Sequence, residues 1–327
     1  MPTKISRTVK HSAGSAGSDA AGATHAAEGS RSPNPRRPCE CGSGRRWKNC
    51  HGAADADDMI VSRPFAGMQA ETELIAMREF VPSATAPLQL ADPAKDSPSI
   101  VIATVLPGAA AALTRSDGSI LLGLQTQIHS GDLSRDLGAA LGWALNAEPS
   151  SVLQVPPRTP DNPRLAELIV DELLEVTVHD SFRWWLENEA EEGSEVALSL
   201  EQANQAIMPT ARLGELAGAY WVDAGDKAHL RWVRPEDEPQ VMAALARLAA
   251  AGELDLGEGS RYVGSFRAHG RLVPVWDLDR EAHPSEWEQP AADFGRRYRT
   301  AVAVDAPLSD PERRARDGIL GRQFTLR

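Results

Sequence analysis

The sequence predicts an α+β fold in which mostly antiparallel, mixed sheets pack with helices. Apolar runs of strand length come in pairs joined by turn residues, which is typical of β-hairpins. Three such pairs turn at Asp117-Gly118, at Ala224–Lys227 and at His269-Gly270. Helical and strand patterns alternate irregularly along the chain, which favours α+β over a doubly wound parallel sheet.

Several helices are predicted from periodicity and from their ends. The clearest is "RPEDEPQVMAALARLAAAG", which has acidic residues in its first turn and Gly252 as its stop. The run "QAETELIAMREF" predicts a helix that ends before Pro82, and "SIVIATVLP" has the length and composition of a strand. Leucines at every fourth position predict an amphipathic helix in "DLSRDLGAALGWALNA".

Two further helices are predicted from capping residues. In "TPDNPRLAELIVDELLEV", Asn162 is the expected cap and Pro163 the first helical residue. In "SLEQANQAIM", Ser199 and Gln202 have the spacing of a capping box.

The C-terminal segment predicts a helix that begins near Pro290 and carries Phe294 and Tyr298 on one face. Three arginines are expected to lie largely outside this face: Arg296, Arg297 and Arg299. In the tail that follows, Ile319, Leu320 and Phe324 form an apolar set too sparse to pack alone. We therefore expect the tail to dock against the body of the protein or against a partner.

The body also contains an internal echo. A predicted helix followed by "VPSAT", 81–85, is matched by a predicted helix followed by "MPTAR", 208–212, and both run into a strand-like segment. This match of five positions is consistent with two related α+β halves and equally with two unrelated ones. The expected layout begins with a disordered arm at 1–37, a zinc knuckle at 38–52 and a linker at 53–63. The first half of the body follows at 64–155, the second half at 156–283, and a C-terminal helix with its tail at 284–327.

Charge is distributed unevenly between the N-terminal arm and the body. Residues 1–52 hold nine basic and three acidic residues, a net charge of +6; because the whole chain carries −12, residues 53–327 carry −18. Residues 1–37 contain too few large apolar side chains to offset the entropy of ordering them, so disorder is expected there. A basic arm favours acidic partners, and nucleic-acid binding is expected through this arm only. The alternative is that the arm is a solvated tail.

All three cysteines of the chain lie in "CECGSGRRWKNCH", where a histidine follows the last of them. Cys39, Cys41, Cys50 and His51 form a Cys3His set, which suits a tetrahedral structural Zn2+. Four protein ligands close the coordination sphere and leave no position for water, which argues against a catalytic metal. One structural zinc is therefore the expected cofactor.

This segment resembles the SEC-C zinc module, which is known from the end of the bacterial preprotein translocase ATPase and from many otherwise unrelated bacterial proteins. The remainder of the chain resembles an uncharacterised actinobacterial family of SEC-C-containing proteins, through "RPFAGMQAETELIAMREFVPSATAPL" and "RYVGSFRAHGRLVPVWDL". The chain lacks a phosphate-binding loop and is too short to be the translocase motor. The resemblance implies a binding module that docks an acidic protein, the ribosome or the translocation machinery.

The residues expected to contact that partner are the basic and aromatic side chains of the knuckle: Arg45, Arg46, Trp47 and Lys48. The N-terminus has no apolar segment behind its positive charges, and no run of about 18 apolar residues occurs, so neither a signal peptide nor a membrane span is predicted. We therefore expect a cytoplasmic protein.

Within the body, His179 and Asp180, near Glu172 and Glu175, are the best candidates for acid–base chemistry. Adjacent residues of a strand point to opposite faces, so His179 is more simply a turn residue or a core residue with its hydrogen bonds satisfied. If the chain is extended there, Asp277 and Asp279 lie on the same face of a strand. They would then either bind a divalent ion or lie at the solvated end of that strand. Three glycines, Gly257, Gly259 and Gly264, precede a strand rather than a helix and are not a dinucleotide fingerprint.

The tryptophans of the body include Trp184, Trp185, Trp221, Trp232, Trp276 and Trp287. Two neighbours on a strand cannot face the same core, so Trp184 or Trp185 is expected either at an exposed groove or in a sheet covered on both faces. Two functions remain open: a zinc-binding adaptor without catalytic activity, and an enzyme with an unrecognised site in the body that uses the knuckle for localisation.

The knuckle is so short that its stability should come from metal binding. Replacing Cys39 and Cys41 by Ser should therefore remove one bound Zn2+ per chain and unfold residues 38–52 only, while the thermal midpoint of the body barely moves. Metal analysis and a thermal melt of both proteins test this. A body that loses its melting transition in the double-Ser protein would mean that zinc stabilises the whole chain.

Overall fold

A computed structural model of the chain describes Arg46 and residues 60–126, 130–157 and 161–321. The chain divides into two units, Met1–Ala54 and Asp55–Arg327. The second unit, which we call the body, contains every helix and strand given below.

Seven helices occur in the described residues. They are α1 Glu71–Glu79, α2 Leu133–Ala144, α3 Leu165–Leu168, α4 Glu195–Gln205, α5 Glu238–Ala251, α6 Glu288–Val302 and α7 Asp310–Leu320. Helix α5 has the predicted ends, because Asp237 and Gln240 form a capping box and Gly252 adopts a left-handed conformation with φ of 72°. Short 3-10 turns occur at Pro107–Ala109, Arg183–Trp185 and Pro284–Trp287.

The first sheet has six strands in the order β5-β3-β4-β2-β1-β6. The strands are β1 Ala84–Leu88, β2 Ile100–Ala103, β3 Ala112–Thr114, β4 Ile120–Gly123, β5 Val152–Leu153 and β6 Thr177–Val178. Strands β2 and β4 are parallel, and the other neighbours are antiparallel. The predicted hairpin at Asp117-Gly118 is confirmed as the β3–β4 pair.

The second sheet has five antiparallel strands in the order β10-β11-β9-β8-β7. The strands are β7 Thr210–Arg212, β8 Ala219–Asp223, β9 Ala228–Trp232, β10 Ser260–Ala268 and β11 Arg271–Leu278. The β8–β9 and β10–β11 pairs confirm the two other predicted hairpins. Mostly antiparallel sheets with packed helices make this an α+β fold, as predicted.

Both faces of the second sheet are covered. Tyr220 and Val222 on β8 join a large core with α1 and the first sheet, whereas Trp221, between them, joins a second core with α5 and α6. Trp232, Trp276 and Trp287 also lie in this second core. These tryptophans are thus explained by burial in the second core, whereas the predicted alternatives concerned Trp184 and Trp185, which lie outside this sheet.

Helix α1 is buried along most of its length and carries two buried carboxylates. Glu73, 1% exposed, accepts hydrogen bonds from the Tyr220 hydroxyl at 2.5 Å, the Gly218 N–H at 3.1 Å and Arg212 Nη2 at 3.1 Å. Burial, followed by the Glu73 charge, raises the pKa of Tyr220 well above its usual value, so this hydroxyl keeps its proton and donates.

Glu71 is the second buried carboxylate. Its carboxylate accepts from Arg63 Nε at 2.6 Å and from Arg271 Nη2, on β11, at 2.9 Å. Burial raises the pKa of Glu71, and the hydrogen bond from Arg63 opposes that rise. The two carboxylates therefore join α1 to β7, β8 and β11 of the second sheet.

Two predicted helix starts are wrong. Helix α3 has only four residues and follows Arg164, while the Asn162 side chain donates to the Pro157 carbonyl at 2.6 Å. The chain then becomes extended, because Ile169 pairs with Leu90 and the Val170 N–H donates to the Gln89 carbonyl. This long-range pairing replaces the helical bonds that the local pattern predicted.

Helix α4 begins earlier than predicted. Its cap is Ser194, whose hydroxyl accepts from the Ala197 N–H at 3.2 Å, and Ser199 and Gln202 lie inside the helix rather than at its start. Glycine at position 193, with φ of 76°, turns the chain just before this cap.

The C-terminal predictions are confirmed within the described residues. Helix α6 starts at Glu288 and buries Phe294 and Tyr298; Arg296 and Arg299 are exposed, and Arg297 is half-buried. Helix α7 lies against α5 and places Ile319, 3% exposed, in the second core. The tail thus docks on the body through Ile319, whereas Leu320 is 43% exposed and Phe324 lies outside the described residues.

The internal echo has a structural counterpart only in part. Strands β1 and β7 each follow a helix, as predicted, but β1 lies inside its sheet and β7 forms an edge. The parallel β2–β4 pair also has no equivalent in the all-antiparallel second sheet. The topology therefore offers the proposed duplication no support beyond that local match.

Glu73→Ala should lower the free energy of unfolding by about 3–5 kcal/mol, because it leaves Arg212, the Tyr220 hydroxyl and the Gly218 N–H without their shared acceptor. Urea denaturation measures the change. The matched control is Glu201→Ala on α4, an exposed position where a change within about 0.5 kcal/mol is expected. Equal effects of the two variants would contradict the role given to Glu73.

Candidate functional site

The predicted zinc ligands, Cys39, Cys41, Cys50 and His51, lie outside the described residues. The same holds for three of the four predicted partner-binding residues: Arg45, Trp47 and Lys48. Arg46 is described and is exposed. The zinc knuckle therefore stays a prediction from its ligand types and spacing.

In the described body, the best candidate site is formed by His179 and its surroundings at the edge of the first sheet. His179 directly follows β6, and its N–H donates to the Ser83 carbonyl at 2.8 Å. Its ring Nε2 lies 2.8 Å from the Thr85 hydroxyl of β1. The half-buried ring is thus held in one orientation by two residues of the neighbouring chain segment.

The electrostatic setting of His179 favours a neutral ring. Burial lowers the pKa of His179, and the nearby charge of Asp180 opposes this only in part. Asp180 is exposed, and the ring bonds to Thr85 instead of forming a dyad with it. One ring nitrogen of His179 thus has a partner within the body, and that partner is not the adjacent carboxylate.

Trp184 and Trp185 lie beside His179, on a 3-10 turn and not on the strand that we predicted. Both rings are half-buried, and each indole N–H is bonded: Trp184 Nε1 donates to the Ser83 hydroxyl and Trp185 Nε1 to the Val105 carbonyl, both at 2.9 Å. A turn places adjacent rings at 74° to each other, so both can contact the first sheet.

Two open clefts meet at His179 and Asp180. The first, of about 480 Å³, is lined by His179, Asp180, Ser181, Arg183, Trp184, Leu186, Glu187, Asn188 and Glu189. The second, of about 540 Å³, adds Val178, Asn204, Ile207, Pro209 and Thr210. Glu172 and Glu175, which the sequence placed near His179, line neither cleft. Such a surface can bind a polar ligand against an indole and a neutral imidazole.

Asp277, the other carboxylate singled out by the sequence, is held by three basic side chains. Lys227 Nζ bonds to it directly, His229 Nδ1 lies at 3.2 Å, and Arg261 Nη2 at 3.3 Å. Burial would raise the pKa of Asp277, but the hydrogen bond from Lys227 and the other cations outweigh it and lower that pKa. Asp277 is thus neither a solvated strand end nor half of a carboxylate pair.

Asp279 is used locally, since its carboxylate accepts the Glu281 N–H at 3.0 Å. The glycine-rich stretch before β10 is a turn in which the Ser260 hydroxyl accepts from the Leu256 and Gly257 N–H groups. Across the part of the chain that the structure describes, no group of three or more His, Cys, Asp or Glu side chains is arranged to hold a metal ion.

The network around His179 includes two residues that sequence reasoning missed. Ser83 and Thr85 precede His179 by more than 90 positions and reach it through the β1–β6 pairing. The only local signal was "VPSAT" itself, which the sequence singled out for another reason.

The fold and these sites define an α+β protein with two sheets around a buried helix and a polar cleft at one sheet edge. Residues 64–327 match the model of a family of unknown function, DUF5926, and the chain belongs to that family. The match begins at Pro64, where the sequence predicted that the body starts, and leaves residues 38–52 outside. No curated protein and no solved structure matches the chain. Within the described residues, no helix is both long and apolar enough to cross a membrane.

The lowered pKa of His179 predicts a pH effect on stability. The unfolded chain takes up a proton near the usual pKa of about 6.5, and the native ring takes one up only at lower pH. The stabilising contribution is therefore complete above that pKa and is lost as the pH falls from it towards the lower native value. The free energy of unfolding should drop less between pH 7 and pH 5 in His179→Gln than in the native protein.

Urea denaturation at several pH values measures this difference. Thr85→Val, which keeps the titrating ring but removes its hydroxyl partner, serves as the comparison and should retain the pH-dependent drop. An identical pH profile for the native protein and His179→Gln would contradict the assignment.

Proposed function

We propose that the protein is a zinc-binding adaptor without catalytic activity, whose SEC-C-like knuckle docks an acidic partner. The observation that carries this proposal is the concentration of all three cysteines and His51 within 13 residues, at positions 39–51. Three thiolates and one imidazole are a donor set suited to structural zinc and poorly suited to a disulfide framework.

Charge supports a docking role for the same segment. Arg45, Arg46 and Lys48 surround Trp47 between the second and third cysteines, so a metal-ordered loop would present cations and an indole together. Arginine and tryptophan are the residue types that dominate interface energetics when they become buried. The body, at −18, repels the acidic partners that such a loop attracts.

The organisation of the chain also supports a separate module. The residues predicted to bind zinc belong to the unit Met1–Ala54, and the family match covers only residues from the body unit, Asp55–Arg327. An acidic protein, the ribosome or the translocation machinery is the proposed partner class, and cytoplasm the proposed location.

Two triple variants with equal loss of charge test the docking idea. Replacing Arg45, Arg46 and Lys48 by Ala should reduce capture of the partner at least tenfold, because the contacts lie on the knuckle. Replacing Lys4, Arg7 and Lys10 removes the same three charges from the arm and should leave capture nearly unchanged. Quantitative pulldown on ribosomes and on cytosolic extract, with metal analysis of each protein, measures both effects.

Equal losses of capture in the two variants would mean that the partner is attracted by the overall positive charge of the N-terminal residues and not by contacts on the knuckle. Unchanged capture in both, with zinc still bound, would end the adaptor proposal. Strong salt dependence together with capture of RNA would instead assign the arm to nucleic acid.

The second candidate function is an enzyme with its site in the body. The observation that favours it is the pair of clefts that meet at His179 and Asp180. Complementation of a deletion strain separates the two functions. An adaptor requires Cys39 and Cys41 and tolerates His179→Gln, whereas an enzyme at the cleft requires His179.

A further inference from the structure

Strand β9 and the residue before it form an alternating sequence, "KAHLRW", from Lys227 to Trp232. Ala228, Leu230 and Trp232 are buried in the second core. The side chains between them, Lys227, His229 and Arg231, therefore lie on the opposite face of the sheet. Because β9 is the middle strand of five, this places three basic residues in a row on the interior of a sheet face.

The basic groups in the outer part of this row share one carboxylate. Asp277 is the register partner of His229 on β11 and contacts both Lys227 and His229. Arg261, the register partner of Asp277 on β10, contacts the same carboxylate. The outer part of the row thus combines two cations, one carboxylate and an imidazole.

Arg231, at the inner end of the row, lacks such a partner. Its register neighbours are Tyr220 and Val275, neither of which carries a charge on this face at neutral pH. Among the described residues it forms no ion pair or side-chain hydrogen bond, and its guanidinium contacts the Phe80 ring at 5.8 Å. Arg212, on the same face, is already paired with Glu73.

The half-buried position of Arg231 makes this unusual, because a cation removed from water is normally paired. Burial alone lowers the pKa of Arg231, with no carboxylate to oppose the effect. Burial, followed by the charge of Arg231, also lowers the pKa of His229. The guanidinium nitrogens of Arg231 still reach solvent, since none of them is both buried and unpartnered.

We propose that Arg231 and His229 form a binding site for an oxyanion of the phosphate class on this face of the second sheet. Alternate residues of a strand are about 6.6 Å apart, so both side chains can contact one tetrahedral anion between them. The planar guanidinium donates two parallel hydrogen bonds to such a group, and the anion would neutralise the unpaired cation. With His229 neutral, Lys227, Arg231, Arg261 and Asp277 leave this face with a net positive charge.

The alternative is that Arg231 only extends its charged end to water along apolar surface and binds nothing. The two explanations differ in their response to anions. A site gains stability from an oxyanion in proportion to its occupancy, whereas an arginine directed to water gains no more from phosphate than from chloride.

Thermal melts of the full chain in inorganic phosphate, against sodium chloride at equal ionic strength, provide the test. Phosphate at about ten times its dissociation constant should raise the Tm of the native protein by about 3 °C. Acetate in a parallel series distinguishes a carboxylate ligand from a tetrahedral oxyanion and should give a smaller rise.

Arg231→Met should abolish the phosphate-dependent rise without lowering the Tm in chloride, because it removes an unpaired, half-buried cation. The matched control is Arg267→Met on β10, an arginine paired with Glu238 on the exposed surface, which should keep the whole rise. Arg231→Lys keeps the charge and the fold but removes the planar guanidinium that donates two parallel hydrogen bonds. It should lose at least half of the phosphate-dependent rise in Tm.

A rise that is lost in Arg231→Met and kept in Arg267→Met supports the site. Should the Met variant fail to fold, a halved rise in Arg231→Lys decides in its favour. No rise in the native protein, an equal rise in chloride, or a full rise in either variant of Arg231 overturns the proposal.

Discussion

The body depends on two carboxylates that are buried on one helix. Glu71 and Glu73 of α1 are removed from water, and each must therefore be hydrogen-bonded by groups that the rest of the chain brings to it. Those groups come from Arg63, which precedes α1, and from β7, the loop before β8, β8 itself and β11 of the second sheet. Because the apolar side of α1 lies in the core shared with the first sheet, the helix joins both sheets.

This arrangement explains where functional residues can lie. The interior between the sheets is filled by α1 and apolar side chains, so binding groups lie where that packing stops, at a sheet edge and beside the end of α1. His179 lies at one edge, between β6 and the turn at Arg183–Trp185. The basic face of β9 begins where the α1 packing ends at Phe80, which contacts Arg231.

Local chemistry explains which elements were predictable. Hairpin turns such as Asp117-Gly118 and the helix α5 are specified by residues within a few positions of each other, so the sequence alone predicts them. Helix α3 fails as a prediction because Ile169 pairs with Leu90, about 80 residues away, and a local pattern contains no information on that pairing. Aromatic residues favour strands, and the sequence therefore predicts a strand at Trp184 and Trp185. The structure has a 3-10 turn there, in which both indole N–H groups donate to acceptors about 80 to 100 positions away.

The candidate sites divide in the same way. The predicted zinc ligands are close in sequence, so ligand type and spacing suffice for the hypothesis. The partners of His179, Asp277 and Glu73 come from distant strands, and only the three-dimensional structure could identify them. The unpaired state of Arg231 likewise depends on which residues of β8 and β11 lie beside it, and only the three-dimensional structure identifies those.

We expect the body to fold as one unit around α1, independently of the zinc module that we propose for docking. Native-state hydrogen exchange, followed with and without a zinc chelator, tests it most directly. We expect amides of α1, of β1–β2 and of β8–β9 to share one free energy of opening that chelation leaves unchanged, while protection of residues 38–52 disappears. Separate opening of the two sheets, or loss of protection in α1 on chelation, would contradict this account.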